Sequence, residues 1–154
     1  MSPPTPDTGT GAGQTRRPLE YEMTFDVEGA DIDAVGHVNN VVYLRWVNAI
    51  AGAHWRHRAD PERVRDTQWV VVRHEIDYLR AALPGDTVAI RTWVGDATRT
   101  RWDRHTEIRR EGAGTDEILV RARSVWCPLD PDTGRPRRVT PEIIEPFFES
   151  EGAG

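Results

Sequence analysis

The stretch from about Asn40 to Arg58, NVVYLRWVNAIAGAHWRHR, limits the possible folds more than any other part of the chain. It has helical spacing, yet its polar positions Arg45, Asn48, Gly52 and Arg56 fall on one narrow stripe. Val41, Val42, Leu44, Trp46, Val47, Ala49, Ile50, Ala53 and Trp55 fill much of the rest. A helix apolar around so much of its circumference has to be buried on most sides. Other elements must enclose it.

The rest of the chain supplies strands to do so. LEYEMTFDV, from about Leu19 to Val27, reads as a strand ahead of the helix. QWVVVRHEIDYLR (68–80), DTVAIRTWV (86–94), TRTRWDRHTEIRR (98–110) and DEILVRARSVWCPLD (116–130) follow it. The turn signals LPGD, GDA and EGAGT separate them. Trp102, Thr106 and Ile108 alternate with Arg101, Asp103, His105, Glu107 and Arg109, and Ile118, Val120, Ala122 and Trp126 with Arg121 and Arg123. A period of two with one charged face describes an antiparallel sheet covered on one side. Such a sheet and an apolar helix complete each other's burial if the sheet curls around the helix. The expected class is therefore α+β, with about five antiparallel strands wrapped around a long central helix. An open strand edge would favour pairing with a second copy, as a homodimer or a dimer of dimers. TPEIIEPFFES predicts a short amphipathic C-terminal helix. Residues 1–18, MSPPTPDTGTGAGQTRRP, have the composition of a disordered tail, leaving 19–150 as the folded domain.

Composition excludes several kinds of chemistry. A net charge of −5 argues against a nucleic-acid partner. All 20 basic residues are arginine, so Schiff-base and P-loop lysine chemistry is excluded. The single cysteine, Cys127, excludes an internal disulfide framework and a cysteine-rich zinc site. Preceding Pro128 at a strand end, it is expected to be a buried, inert thiol. No apolar run approaches the ~18 residues of a membrane span, and the N-terminus lacks a signal-peptide core. The expected setting is the cytoplasm, without a membrane partner.

Against this background residues 31–47, DIDAVGHVNNVVYLRWV, are unusual: acids, a histidine and two asparagines crowd the mouth of the buried helix. Asp31, Asp33 and Gly36 begin a calcium-loop pattern, but Val35 and Val42 stand where further ligands belong. His54 and His57 share a helical face without a cysteine, an HExxH motif or an obvious third ligand, so no metal is assigned. Helix capping accounts for one asparagine, and a tight turn accounts for Gly36. It leaves Asp31, Asp33 and His37 to be explained. A helix start offers unsatisfied N–H groups and the positive end of the macrodipole, which would hold an oxyanion. A carboxylate beside it could act as base toward water or attack a carbonyl itself. These parts suit hydrolysis of a thioester, whose thiolate leaves with little acid assistance.

The run DIDAVGHVNNVVYLRW closely resembles the acyl-CoA thioesterases of the hot-dog fold, in the 4-hydroxybenzoyl-CoA thioesterase branch. VVRHEIDYLRAALPGDTVAIRTWV and RARSVWCPLDPDTGRPRRVTPEI extend the resemblance over about residues 19 to 146. It implies that Asp33 is the catalytic carboxylate, with the backbone N–H of Asn40 as oxyanion donor and His37 beside them. Gly36, Asn39 and Tyr43 belong to the same substrate-facing motif. Arg99 and Arg101, in the hairpin after the third strand, would contact CoA phosphates through bidentate arginine contacts; RPRR at 135–138 is a second candidate. The acyl group would enter beside the helix, with Trp46, Trp69 and Trp93 as candidate borders. Many relatives carry a glutamate where this chain has Asn48, which leaves Asp33 as the base. HVNN also resembles plant-type acyl-ACP thioesterases; Asp33 and His37 match their pattern, and Val35 stands where they have asparagine. The resemblance thus implies an acyl-CoA substrate, with acyl-ACP hydrolysis or a non-catalytic acyl-CoA sensor as alternatives, and no cofactor.

Overall fold

The computed structural model describes residues 16–112 and 117–150. Its elements are β1 (Tyr21–Asp26), α1 (Asn40–Arg58), α2 (Pro61–Asp66), β2 (Gln68–Tyr78), β3 (Thr87–Ala97), β4 (Trp102–Arg110), β5 (Ile118–Leu129) and α3 (Pro141–Ile144). The strands form one five-stranded sheet in the order β1-β3-β4-β5-β2, antiparallel throughout. The expected α+β architecture is observed, and α1 has the span read from the sequence.

Burial of α1 organises the core. Val42, Tyr43, Trp46, Val47 and Ile50 pack against Val88, Ile90, Ile108, Val120 and Ala122 from the inner face of the sheet. Trp55, at the other end of the helix, joins Val94, Trp102, Phe147 and Phe148 in a second cluster. The C-terminal segment closes that end: α3 leads into a 3-10 turn over Glu145–Phe147, which buries Phe147. Cys127 is buried, as its sequence context indicated.

The N-terminal boundary moves. Residues 1–15 of the expected disordered tail lie outside the described residues, but Arg16 to Pro18 belong to the folded body. Pro18 bridges Phe148, Glu149 N–H donates to the Arg17 carbonyl at 3.0 Å, and Arg16 pairs with Glu145 at 2.7 Å. Docking on the C-terminal segment holds them, which composition could not reveal.

A larger departure is Arg104. The alternation of β4 puts it on the apolar face with Trp102, Thr106 and Ile108, and it is only 6% exposed. Its Nη1 lies 2.9 Å from His54 Nδ1 and donates to Thr92 Oγ1 at 3.1 Å. Guanidinium only donates, so Nδ1 must accept and the His54 proton sits on Nε2. Thr92 in turn meets Thr106 Oγ1 at 3.3 Å and donates to the His105 carbonyl at 2.8 Å. A polar belt thus crosses the interior near the junction of the two apolar clusters.

Burial, reinforced by the Arg104, Arg58 and His57 charges, lowers the His54 pKa to about 3. The unfolded chain therefore binds a proton at His54, below about pH 6.5, that the folded protein refuses until about pH 3. This contribution to stability is complete above about pH 6.5 and is lost as the pH falls toward 3. Denaturant unfolding should show stability falling by up to ~1.4 kcal/mol per pH unit across this window. His54→Gln, which keeps an acceptor for Arg104, should flatten the slope; an unchanged slope would remove His54 as its cause.

Candidate active site

The loop before α1 is built around its two acids, which have different tasks. Asp31 is 3% exposed; one carboxylate oxygen accepts the Glu28 N–H at 2.9 Å and the other meets Arg45 Nη2 at 2.6 Å. Its carbonyl accepts the Asn39 N–H at 2.9 Å. Asp31 is thus a structural anchor that ties the loop to the second turn of α1.

Asp33 organises the turn that follows. Its Oδ1 accepts the N–H groups of Val35 at 3.0 Å and His37 at 3.3 Å. Its own N–H donates to the His37 carbonyl at 2.8 Å, and an antiparallel bridge joins Ile32 to Val38. Gly36 occupies the left-handed region at φ 82°, where a side chain would be strained. With Oδ1 fixed, Oδ2 has no hydrogen-bond partner among the described residues. The Asp33 carboxylate is thereby held at one oxygen and available at the other.

Asn39 and Asn40 divide the helix start between them. Asn39 is the N-cap: its side chain accepts the Val41 N–H at 3.1 Å, and its carbonyl accepts the Val42 N–H at 2.9 Å. Asn40 is the first helical residue, and its backbone N–H has no acceptor among the described residues. It is a free donor at the positive end of a 19-residue helix.

Asp33, His37, Asn40 and Tyr43 line one cleft of about 390 Å³. Its opposite wall is the segment Tyr78 to Ala81, where β2 ends. Three contacts pin the two walls together. Val38 N–H donates to the Ala82 carbonyl at 3.1 Å, Ala82 N–H to Tyr43 Oη at 2.8 Å, and Tyr78 Oη to the Asn40 carbonyl at 3.3 Å. Tyr43 is 1% exposed, edge-on to Trp46 and Tyr78, and burial raises its pKa. Its hydroxyl is a fixed strut and stays protonated.

Other candidates lie elsewhere. Gly36 and Asn39 shape the cleft without lining it. Arg99 and Arg101 are exposed in the β3–β4 hairpin, closed by the Thr98 N–H to Arg101 carbonyl bond of 2.8 Å. Val38–Ala82 sits near the start of β3 and the hairpin at its far end, so one chain does not bring these arginines to Asp33. Trp46 is core, Trp69 lines a different cavity, and Trp93 lies on the outer face, stacked on His105 at 5.7 Å. The wall at 78–81 was missed from sequence. Its signal was the exposed pair Tyr78 and Leu79, which continue past the point where β2 stops alternating. Among the described residues no group of three or more histidine, cysteine or acidic side chains is placed to hold a metal.

Residues 18–147 match the family model described as the acyl-ACP thioesterase N-terminal domain. The chain belongs to this family. It is 34% identical, over 87 residues, to the acyl-[acyl-carrier-protein] hydrolase FATB3 of Cuphea viscosissima, a chloroplastic protein. The match covers 54% of this chain and 21% of that protein, so the chain spans about a fifth of its curated relative. Among solved structures, a 4-hydroxybenzoyl-CoA thioesterase superposes with a TM-score of 0.75 at 21% identity, covering 83% of this chain and 98% of that one. A thioesterase from Thermus thermophilus, complexed with coenzyme A and zinc, gives 0.70 at 27% identity, covering 82% and 90%. The fold is the hot-dog fold of the thioesterases, and the family is one of thioester hydrolases.

The two acids of the loop should separate cleanly on substitution. Asp31→Ala orphans the Glu28 N–H and releases Arg45, and should lower stability by about 1–3 kcal/mol. Asp33→Asn keeps an Oδ1 acceptor for Val35 and His37, and should change stability by less than about 1 kcal/mol. Thermal unfolding of both variants against the parent checks this. Equal losses would show that Asp33 is as structural as Asp31.

Proposed function

We propose that the chain hydrolyses an acyl-CoA thioester at the Asp33 cleft. The observation that carries this reading is the pairing, in one cleft, of a carboxylate with one free oxygen and an unpaired N–H at a helix start. Asp33 Oδ2 takes the proton of a water that attacks the thioester carbonyl, or attacks that carbon itself. The oxygen becomes an oxyanion, facing the Asn40 N–H and the helix dipole. The C–S bond then breaks and the carbonyl re-forms; where Asp33 acted as base the thiolate takes up the proton it holds, and on the direct-attack route the sulfur leaves as the thiolate. On the direct-attack route, water afterwards hydrolyses the mixed anhydride. His37, on the same turn, orients the loop.

The exposed valines Val70 and Val72 on β2, one of the two edge strands of the sheet, support pairing with a second copy there. A homodimer or a dimer of dimers also offers a route by which Arg99 and Arg101 would reach substrate phosphates at an Asp33 cleft, since one chain keeps them apart. The match to acyl-ACP thioesterases favours a second reading, in which the thioester is carried on an acyl-carrier protein. The shared Asp33 and His37 spacing is compatible with it.

The test is thiol release from short, long and aromatic acyl-CoAs and from the matching acyl-ACPs, with Asp33→Asn in parallel. The expected result is turnover of acyl-CoA, with kcat reduced about 10²–10⁴-fold in the variant. Turnover of acyl-ACP alone would establish the second reading. Tight acyl-CoA binding without turnover of either would make the protein a sensor and overturn hydrolysis.

A further inference from the structure

A second cavity, of about 320 Å³, lies between α1 and the inner face of the sheet. It shares no lining residue with the Asp33 cleft. Its residues on α1 begin at Asn48 and run to Arg56, so it starts roughly 12 Å beyond Asn40 along the helix axis. Trp55, Trp69, Trp102 and Trp126 form much of its wall, making it flat-sided and aromatic.

What the cavity contains is a surplus of donors. Arg104 lines it and is 94% buried, by its 6% exposure, with only the neutral partners His54 and Thr92. No carboxylate lies within ion-pair distance of it among the described residues. Burial lowers its pKa to about 10, so it remains charged at neutral pH. Trp69 and Trp126 line the same cavity, and each carries a buried indole N–H without an acceptor among the described residues. The carboxylate of Asp103, also on the lining, is already bound by Arg123 at 2.9 Å. Arg56 adds a second guanidinium at the rim, packed over Gly52, where an added Cβ would meet its Nη1 at 3.0 Å.

A buried cation with only neutral partners is costly, and so is each buried N–H without an acceptor. A carboxylate on a flat apolar body would give the Arg104 charge a counterion and bring acceptor lone pairs to a lining rich in donors. We propose that this cavity is a binding site for a free aromatic or apolar carboxylic acid, its carboxylate held by Arg104 and its body packed among the four tryptophans. Guanidinium and carboxylate match as a two-pronged pair, which suits the fork of Arg104. The buried Arg104 charge, which has only neutral partners, fits a carboxylate and not the uncharged tail of an acyl group held at Asp33. Such an acid is the class of compound thioester hydrolysis releases, but the assignment rests on this cavity alone.

The test is isothermal titration of the full chain with 3-phenylpropanoate, benzoate and octanoate, each beside its neutral amide. The expected result is saturable one-to-one binding of at least one acid, with its amide weaker by about tenfold or more. Arg104→Met should abolish that preference while the intact fold is verified by circular dichroism. Trp126→Phe, which removes one N–H and keeps the aromatic wall, should weaken the acid more than the amide. No saturable acid binding to the parent protein, or equal binding of acid and amide, would overturn the proposal. So would an undiminished preference in folded Arg104→Met. If that variant does not fold, the parent and Trp126→Phe titrations still decide.

Discussion

The constraint on which the rest depends is the burial of α1. A helix carrying Val42, Trp46, Val47, Ile50 and Trp55 toward the sheet has no stable exposed state, and the curled antiparallel sheet is what encloses it. Enclosure also fixes where chemistry can occur. One face of the helix is committed to packing while Val41, Arg45, Asn48 and Ala49 stay exposed, and its N-terminus keeps the unsatisfied backbone donors of a helix start. The Asp31 anchor and the Asp33 turn place that terminus against the end of β2. The cleft is a consequence of how a buried helix has to begin.

The interior is less uniform than the hydrophobic requirement alone would give. Arg104, His54, Thr92 and Thr106 cross it between the two apolar clusters, and His54 is kept neutral there by burial and by the cations around it. Near this belt, the space between α1 and the sheet opens into the tryptophan-walled cavity. Among the described residues, the Asp33 cleft and this cavity are thus of opposite character. One offers a carboxylate with a free oxygen beside a backbone N–H; the other offers a guanidinium and indole N–H groups without acceptors.

Much of this was legible in the residues. The helix bounds, the strand segments, the one-sided sheet and the short C-terminal helix follow from periodicities of 3.6 and 2 and from turn residues. The loop was recognisable because its crowding of polar groups exceeded what capping needs. Within it, however, Asp31 and Asp33 look alike as letters. Only the folded loop assigns Asp31 to Arg45 and to the Glu28 N–H, and leaves Asp33 one oxygen free. Arg104 was missed because a charged residue between Asp103 and His105 reads as one more member of a solvated face. The Tyr78–Ala81 wall was missed because its role depends on a segment some forty residues earlier in the chain.

By itself, then, the sequence determined α1, the five strands and the buried face of most of them, because local spacing decides which side of a segment avoids water. It did not predict α2, and Val41, read as buried, is 68% exposed. The sequence also marked Asp33, Asn40 and the loop between them, because the helix start follows directly in the chain. The tertiary structure alone decided what meets across the fold. It brought β2's end to the helix start, sent Arg99 and Arg101 to the far hairpin, turned Arg104 inward, and gathered four tryptophans around it. Those outcomes depend on strand order and register, which no local pattern carries.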